Sequence, residues 1–207
     1  MAALPMFPLG SVLFPYMPLR LRIFEERYLI MLAELMKTEE AVFGVVLIER
    51  GHEVGGGEQR FSVGTTAEVI RLGAQDGFVG LLAQGGRRFE VVRWLDDRPH
   101  PRAEVRVLPE LEWDPAATTL RTETERLVRR MLAVASEFAE DVWPADTVLA
   151  EDPVAAVWQL AAIAPISSLD QVSLLRSASV TQLLTRVGEL TTEAGLAYEA
   201  PWPDADA

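Results

Sequence analysis

The chain contains no cysteine and only one lysine among its 207 residues. Without cysteine there are no disulfides, no thiolate nucleophile and no cysteine-ligated zinc or iron–sulfur cluster. No apolar stretch approaches the roughly 20 residues that cross a bilayer, and no basic cluster precedes the apolar start of the chain as it would in a signal peptide. We therefore expect a cytoplasmic protein that has no membrane partner.

An excess of basic charge is also missing. The 31 acidic residues outnumber the 19 Lys and Arg residues, and the formal net charge is −12. Such a chain repels phosphate backbones, whose binding normally requires clustered Lys and Arg, so nucleic acid is not an expected partner. The 49% hydrophobic and 24% charged residues are typical of a globular protein that folds around its own core.

The first half of the chain has short apolar runs separated by glycine and proline, which predict a β-rich subdomain over residues 1–112. Gly85-Gly86 is predicted to be a two-residue hairpin turn. Ala103, Val105 and Val107 alternate with charged residues, so they are predicted to face a core. Strands are predicted at residues 19–24, 43–48 (a central strand), 61–72, 78–84 and 88–95. One amphipathic helix is predicted at residues 25–36, with its apolar face at Tyr28, Met31, Leu32 and Leu35.

The second half, residues 113–199, is predicted to be a helical bundle. A long amphipathic helix is indicated by an apolar stripe at Leu120, Leu127, Met131, Leu132, Ala135 and Phe138. Asp152-Pro153 is typical of a helix N-cap followed by proline in the first turn, and Pro165 ends that helix. Ser168 is predicted to cap the next helix. The last helix is predicted at residues 180–193, and the acidic tail, residues 200–207, is expected to fray.

Several runs, in their order and spacing, resemble the N-terminal, substrate-binding domain of the Lon ATP-dependent protease family over nearly the whole chain, here as a stand-alone protein. The resemblance implies an α+β fold in which a twisted, partly closed, mostly antiparallel β-sheet (a pseudobarrel) with one helix precedes a helical bundle. It also implies a role in engaging protein substrates and in subunit assembly, without catalytic residues. The runs are Leu4-Pro-Met-Phe-Pro-Leu-Gly10, Val12-Leu-Phe-Pro15, Ile23-Phe-Glu-Glu-Arg-Tyr28, Phe43-Gly-Val-Val-Leu-Ile48, Glu53-Val-Gly-Gly56, Val63-Gly-Thr65 and Gly86-Arg-Arg-Phe89.

The ATPase and serine–lysine peptidase modules of a complete Lon protease have no counterpart in the sequence. A phosphate-binding loop of the form G-x-x-x-x-G-K-[ST] needs a lysine after glycine, but Lys37 follows Met36. The same single lysine would have to serve a serine–lysine dyad, and its position near a helix end predicts a solvated charge. We therefore predict that the chain is not an enzyme and has no catalytic residue.

Two other features suggest sites but are better explained by solvated loops. His52 and His100 lie in polar segments without further ligands at metal-binding spacing, so we predict exposed histidines and no metal or other cofactor. The glycine-rich residues 51–57 lack the lysine of a phosphate-binding loop and are predicted to be a mobile hairpin loop.

Residues 13–19 are strongly apolar but are interrupted by Pro15 and Pro18, so part of the segment is expected to stay exposed. Two interpretations stay open. Phe14 and Met17 pack beneath the sheet, or the segment forms a peptide-binding surface, because methionine and aromatic side chains adapt to varied apolar clients. The candidate peptide-binding residues are Phe14, Tyr16 and Met17, bordered by Glu26 and Arg27 at the start of the neighbouring helix.

The predicted function is non-catalytic recognition of exposed segments of unfolded polypeptides, helped by open sheet edges, with a protease or chaperone as the recipient of the bound segment. Two alternatives from other classes stay open. One is a small-molecule pocket between the sheet and the bundle, and the other is a scaffold that self-associates into a homo-oligomer.

Overall fold

The structure, a computed structural model, describes residues 3–50 and 59–199. The chain divides into two compact units, residues 1–110 and 111–207. The predicted loop at residues 51–57, His52 and the predicted tail at residues 200–207 lie outside the described residues. The boundaries predicted from the sequence, between the two subdomains at residues 112 and 113 and before the tail at residue 200, remain predictions.

The first unit is a β-sheet with one helix, as the sequence predicted. Helix α1, Glu26–Leu35, lies between the second and third strands and buries its predicted apolar face. Tyr28 of this helix stacks on Phe7, with ring centroids 3.9 Å apart. The described strands are β1 Ala3–Leu9, β2 Pro18–Ile23, β3 Val42–Arg50, β4 Gln59–Gln75, β5 Phe78–Trp94 and β6 Arg102–Val107.

The strands form a ring that carries a three-stranded extension. The order is β2-β5-β4-β3-β1-β6, and β6 also pairs with the second half of β5, which closes the ring. The first half of β5 leaves the ring and pairs with β2 and with the second half of β4. Among the described strand pairs, β1–β3 is parallel and the others are antiparallel. A cluster of buried side chains fills the ring: Met6, Val46, Phe89 and Ala103, with Leu4, Val91, Trp94 and Val105 packed against it. The predicted α+β class and the partly closed sheet are confirmed.

The predicted hairpin turn at Gly85-Gly86 is wrong, because both glycines lie inside β5. The turn is instead at Asp76-Gly77, between the paired residues Gln75 and Phe78, and Gly77 has a φ of 87°. An Asp-Gly pair between two strands is a strong sequence signal for a hairpin turn. Gly85 is needed for close approach, since a Cβ there would lie 2.0 Å from the carbonyl oxygen of Phe14.

The alternation predicted for β6 holds only in its first half. Ala103 is fully buried and Val105 half-buried, but Val107 is 44% exposed. The pairing explains the difference. Residues 102–104 of β6 pair with β1 on one side. Among the described residues, Val107 pairs with Phe89 of β5 and has no partner strand on its other side.

The second unit is helical. Its helices are α2 Thr118–Ala135, α3 Pro153–Ile163, α4 Ser168–Leu174 and α5 Val180–Glu199, and α2 is preceded by a short 3-10 turn at Pro115–Ala117. Asp152 caps α3 as predicted, accepting a hydrogen bond from Ala155 N at 2.8 Å. The predicted Ser168 cap is wrong by one residue, because Ser167 Oγ accepts the hydrogen bond from Asp170 N at 3.2 Å. No helix within the described ranges is long and apolar enough to cross a membrane.

The buried face of α2 differs from the predicted stripe. Its buried residues are Thr124, Val128, Leu132 and Ala135, while Leu120, Leu127 and Met131 are half-buried and Phe138 is exposed beyond the end of the helix. The polar residue Thr124 belongs to the buried face. A stripe predicted from apolar residues alone therefore leaves it out and is rotated about the helix axis relative to the face that is buried. Helix α5 packs on this side, and its Gly195 brings the backbone close to the Met131 side chain.

Candidate functional site

Residues 14–17 form a tight turn, the Tyr16 turn, that is held against strand β5. Met17 N donates to Phe14 O at 3.3 Å, with Pro15 and Tyr16 between them. Tyr16 has a φ of 63°, so the turn has the proline and positive-φ positions of a type II turn. Two further backbone hydrogen bonds join it to Gly85, from Tyr16 N to Gly85 O at 2.7 Å and from Gly85 N to Met17 O at 2.8 Å.

The turn separates its apolar side chains into buried and exposed ones. Phe14 is 1% exposed and Met17 is 8% exposed, whereas Tyr16 is 39% exposed. The packing interpretation is therefore right for Phe14 and Met17. These two side chains cannot contact a partner while the turn stays closed, and Tyr16 is the aromatic residue that the turn presents to solvent.

Tyr16 occupies a backbone conformation that favours glycine. A non-glycine residue with positive φ costs on the order of 1–2 kcal/mol, which the two hydrogen bonds to Gly85 and the burial of Phe14 offset.

Glu26 and Arg27 lie at the start of α1, beyond the far end of β2. Glu26 is exposed. Arg27 is engaged within the unit, with its Nε 3.1 Å from Glu25 Oε2 and its guanidinium carbon 4.4 Å from the centre of the Tyr28 ring. Six extended residues of β2 span about 20 Å, so the Tyr16 turn and the helix start do not form one compact patch. The peptide-binding role of the five candidate residues stays a prediction.

Sequence reasoning missed a concave surface on the three-stranded extension. This arginine depression has a volume of about 590 Å³ and includes Arg20, Arg22, Arg71, Gly73, Phe78 and Gly80 among its lining residues. Its signal was partly visible, since Arg20 and Arg22 alternate with Leu19, Leu21 and Ile23 along β2. Arg71 follows some fifty residues later in the sequence, and only strand pairing brings it to the same face.

The prediction of an exposed His100 is wrong. Its side chain is 1% exposed, Nε2 lies 2.9 Å from Glu34 Oε2 and Nδ1 lies 3.2 Å from Pro101 O. The flanking prolines looked like a solvated loop, but the segment leads directly into β6 beneath helix α1. Within residues 3–50 and 59–199, no group of three or more His, Asp or Glu side chains is arranged to hold a metal ion.

Replacing His100 with alanine is expected to lower the free energy of unfolding by about 1–3 kcal/mol, because it removes two buried polar contacts and leaves a void. Glu34→Gln keeps a hydrogen-bonding side chain beside the imidazole and should cost less. Urea unfolding of the three proteins measures both losses. An H100A midpoint equal to that of the parent protein would contradict a structural role for His100.

The groups whose pKa is shifted, Arg88 and Arg93 of β5 and Glu104 of β6, are not among the residues of the Tyr16 turn. Burial lowers the pKa of Arg88, whose guanidinium donates to Pro109 O, while the charge of Glu110 acts in the opposite direction. A side-chain hydrogen bond at 2.5 Å raises the pKa of Arg93 and lowers the pKa of Glu104 across the β5–β6 ladder. These groups stabilise strand contacts, and both partners of the Arg93–Glu104 pair stay charged at neutral pH.

Comparison with known proteins shows to which family the chain belongs. The model of the ATP-dependent protease La (LON) substrate-binding domain matches residues 3–193. The Lon protease of Heliobacterium modesticaldum is 25% identical over 194 residues, which are 90% of this chain and 23% of that protein. The Lon protease of Rhizobium meliloti is 32% identical over 139 residues, 66% of this chain and 16% of that protein. The chain thus spans a quarter or less of the length of these relatives.

Solved structures give the same result. The crystal structure of a Lon N-terminal domain protein from Xanthomonas campestris is 26% identical, with a TM-score of 0.63 over 90% of this chain and 97% of the other. The N-terminal domain of the Mycobacterium avium complex Lon protease has a TM-score of 0.64 at 17% identity, over 93% of this chain and 99% of that one, and shows the shared fold. The family match over residues 3–193 assigns this chain to the Lon substrate-binding domain family.

Proposed function

We propose that this chain is a non-catalytic recognition module for exposed apolar or extended segments of unfolded polypeptides, which it presents to a protease or chaperone in the cytoplasm. The observation that carries the proposal is the match of residues 3–193 to a family described as the substrate-binding domain of an ATP-dependent protease. The relatives are Lon proteases in which the matching part is a small fraction of the whole chain.

The Tyr16 turn supports the proposal as a first contact surface. It presents an exposed aromatic side chain on a rigid scaffold, held by hydrogen bonds to β5 and by the buried Phe14 and Met17. Tyrosine contributes a large contact area with little loss of side-chain entropy and is enriched among the residues that dominate binding energy.

The chemistry of the described side chains supports a non-catalytic role. His100 is used in a buried contact with Glu34, so its imidazole is not open to a substrate. Lys37, the one lysine of the sequence, lies in the exposed segment after α1.

We expect the Tyr16→Gly variant to bind a labelled unfolded polypeptide about 5- to 30-fold more weakly than the parent chain. Glycine suits the positive φ, so the turn should keep its shape and the loss should reflect the missing aromatic ring. Fluorescence anisotropy with a permanently unfolded, carboxymethylated polypeptide measures the affinity.

Trp143→Ala is the matched control, because Trp143 is an aromatic residue of similar exposure in the second unit. Its affinity should equal that of the parent chain. Equal affinities for Tyr16→Gly and the parent chain would remove the turn from the binding surface and leave the recognition role to other surfaces.

A further inference from the structure

The three-stranded extension carries a regular grid of side chains on one face. Leu82 of β5 is flanked by Arg20 on β2 and Arg71 on β4. One row along, Gly80 of β5 is flanked by Arg22 on β2 and Gly73 on β4. Neighbouring strands are about 4.8 Å apart and alternate residues about 7 Å apart, so these side chains surround one small area.

Two glycines make the centre of this face concave. A Cβ built on Gly73 would meet no atom within 4 Å, and one built on Gly80 would meet only Gly73 O, at 3.5 Å. Neither glycine has a positive φ. Backbone strain therefore does not explain them, and their effect is to leave open the arginine depression described above.

The depression is cationic in a chain whose net charge is −12. Three of its lining residues are arginines and none is acidic. In the described part of the chain, Arg20, Arg22 and Arg71 form no ion pair. By contrast, Arg93 and Arg106 pair with glutamates across strands, and Arg129 and Arg186 pair with glutamates along helices.

Phe78 gives the depression an apolar side. The guanidinium carbon of Arg22 lies 5.5 Å from the centre of the Phe78 ring, an arrangement that orients the cation over the aromatic face. Leu82 lies between Arg20 and Arg71. A ligand that fits therefore combines negative charge with an apolar group.

We propose that the arginine depression binds an extended polypeptide segment. In this segment every second residue is acidic, and an apolar residue lies beside the acidic ones. This inference rests on the proposed function and names the class of substrate. Alternate side chains of an extended peptide are about 7 Å apart on one side, which matches the spacing of Arg20 and Arg22 on β2. Arginine guanidinium groups bind carboxylates in a bidentate manner, and Phe78 and Leu82 contact the apolar side chain.

The test compares two short fluorescent peptides that differ only in charge. In one, glutamates alternate with serine and leucine, and in the other glutamine replaces every glutamate. The parent chain should bind the glutamate peptide about tenfold more tightly than the glutamine peptide, and the difference should shrink at high salt because exposed ion pairs are screened.

The triple variant Arg20→Gln, Arg22→Gln, Arg71→Gln should lose that tenfold preference. The control variant Arg87→Gln, Arg126→Gln, Arg130→Gln makes the same change in net charge at exposed arginines elsewhere and should keep it. Gly73→Val narrows the depression without removing charge and should weaken binding of the glutamate peptide. Because a Cβ at this position meets nothing within 4 Å, we expect the variant to fold, and its unfolding curve is measured beside that of the parent chain.

Equal binding of the two peptides, or equal loss in the triple variant and its control, would overturn the inference. If carboxymethylated unfolded polypeptide still binds saturably in that case, the proposed function stands without the acidic preference. If neither it nor the glutamate peptide binds, both proposals fail. Displacement of the glutamate peptide by inorganic tripolyphosphate at equal concentration would overturn the peptide assignment and make the depression a general anion site.

Discussion

Replacing Gly85 with alanine is expected to lower the free energy of unfolding by about 3 kcal/mol, because its Cβ would lie 2.0 Å from Phe14 O and 3.0 Å from Phe14 C. Both contacts are with backbone, so no side-chain rotation relieves them. The turn must move away from β5 and lose the hydrogen bonds that Tyr16 N and Met17 O form with Gly85.

Gly73→Ala is the matched control for Gly85→Ala. It makes the same change in another strand of the same unit, where the added methyl group meets nothing within 4 Å. Its unfolding free energy should stay within about 0.5 kcal/mol of the parent value. Chemical denaturation of the three proteins separates the cases, and equal midpoints for Gly85→Ala and Gly73→Ala would contradict the close packing of the turn on β5.

Phe14→Ala is expected to lower the free energy of unfolding by about 3–5 kcal/mol, since Phe14 is a fully buried aromatic side chain and its loss leaves a cavity. Tyr16→Ala, two residues away, should lower the free energy of unfolding clearly less than Phe14→Ala does, because Tyr16 is 39% exposed whereas Phe14 is 1% exposed. Thermal unfolding of both variants measures the contrast. An unfolding temperature for Phe14→Ala equal to that of the parent chain would contradict the packing role of Phe14.

Local patterns in the sequence were enough to predict most of the elements. The periodicity of Tyr28, Met31, Leu32 and Leu35 predicted the buried face of α1, and the Asp152-Pro153 pair predicted the start of α3. These features depend on residues close in sequence, so propensity and capping chemistry determine them. The family resemblance then supplied the α+β arrangement that the comparisons show.

Errors arose where distant residues decide the outcome. Gly85 looked like a turn residue, yet its role comes from the carbonyl of Phe14, some seventy residues earlier. His100 looked solvated between two prolines, yet Glu34 of α1 lies 2.9 Å from its imidazole. Neither partner is visible from the local sequence, because tertiary contacts override local signals of this kind.

The candidate site was predicted only in part for the same reason. Composition and the two prolines indicated that residues 13–19 carry exposed apolar surface, and Tyr16 is the residue that fits this prediction. Which side chains of the segment face the core depends on the turn geometry and on β5. The arginine depression depends on the register of three strands, which the β4–β5 pairing sets with a bulge between Val69 and Arg71.

Tyr16 lies in the turn just before β2, and the arginine depression is lined by residues of β2, β4 and β5. If one extended segment contacts both surfaces, combined loss of Tyr16 and the three arginines should weaken binding more than either change alone, as measured by anisotropy titration.

The proposed recognition role can be tested by anisotropy titrations that compare one polypeptide in its folded and its permanently unfolded form as ligands. We expect saturable binding of the unfolded form and none of the folded form, because folding buries the extended and apolar segments that the module recognises. No binding of the unfolded form at protein concentrations of about 100 μM, equivalent to roughly −5.5 kcal/mol, would contradict the proposed role.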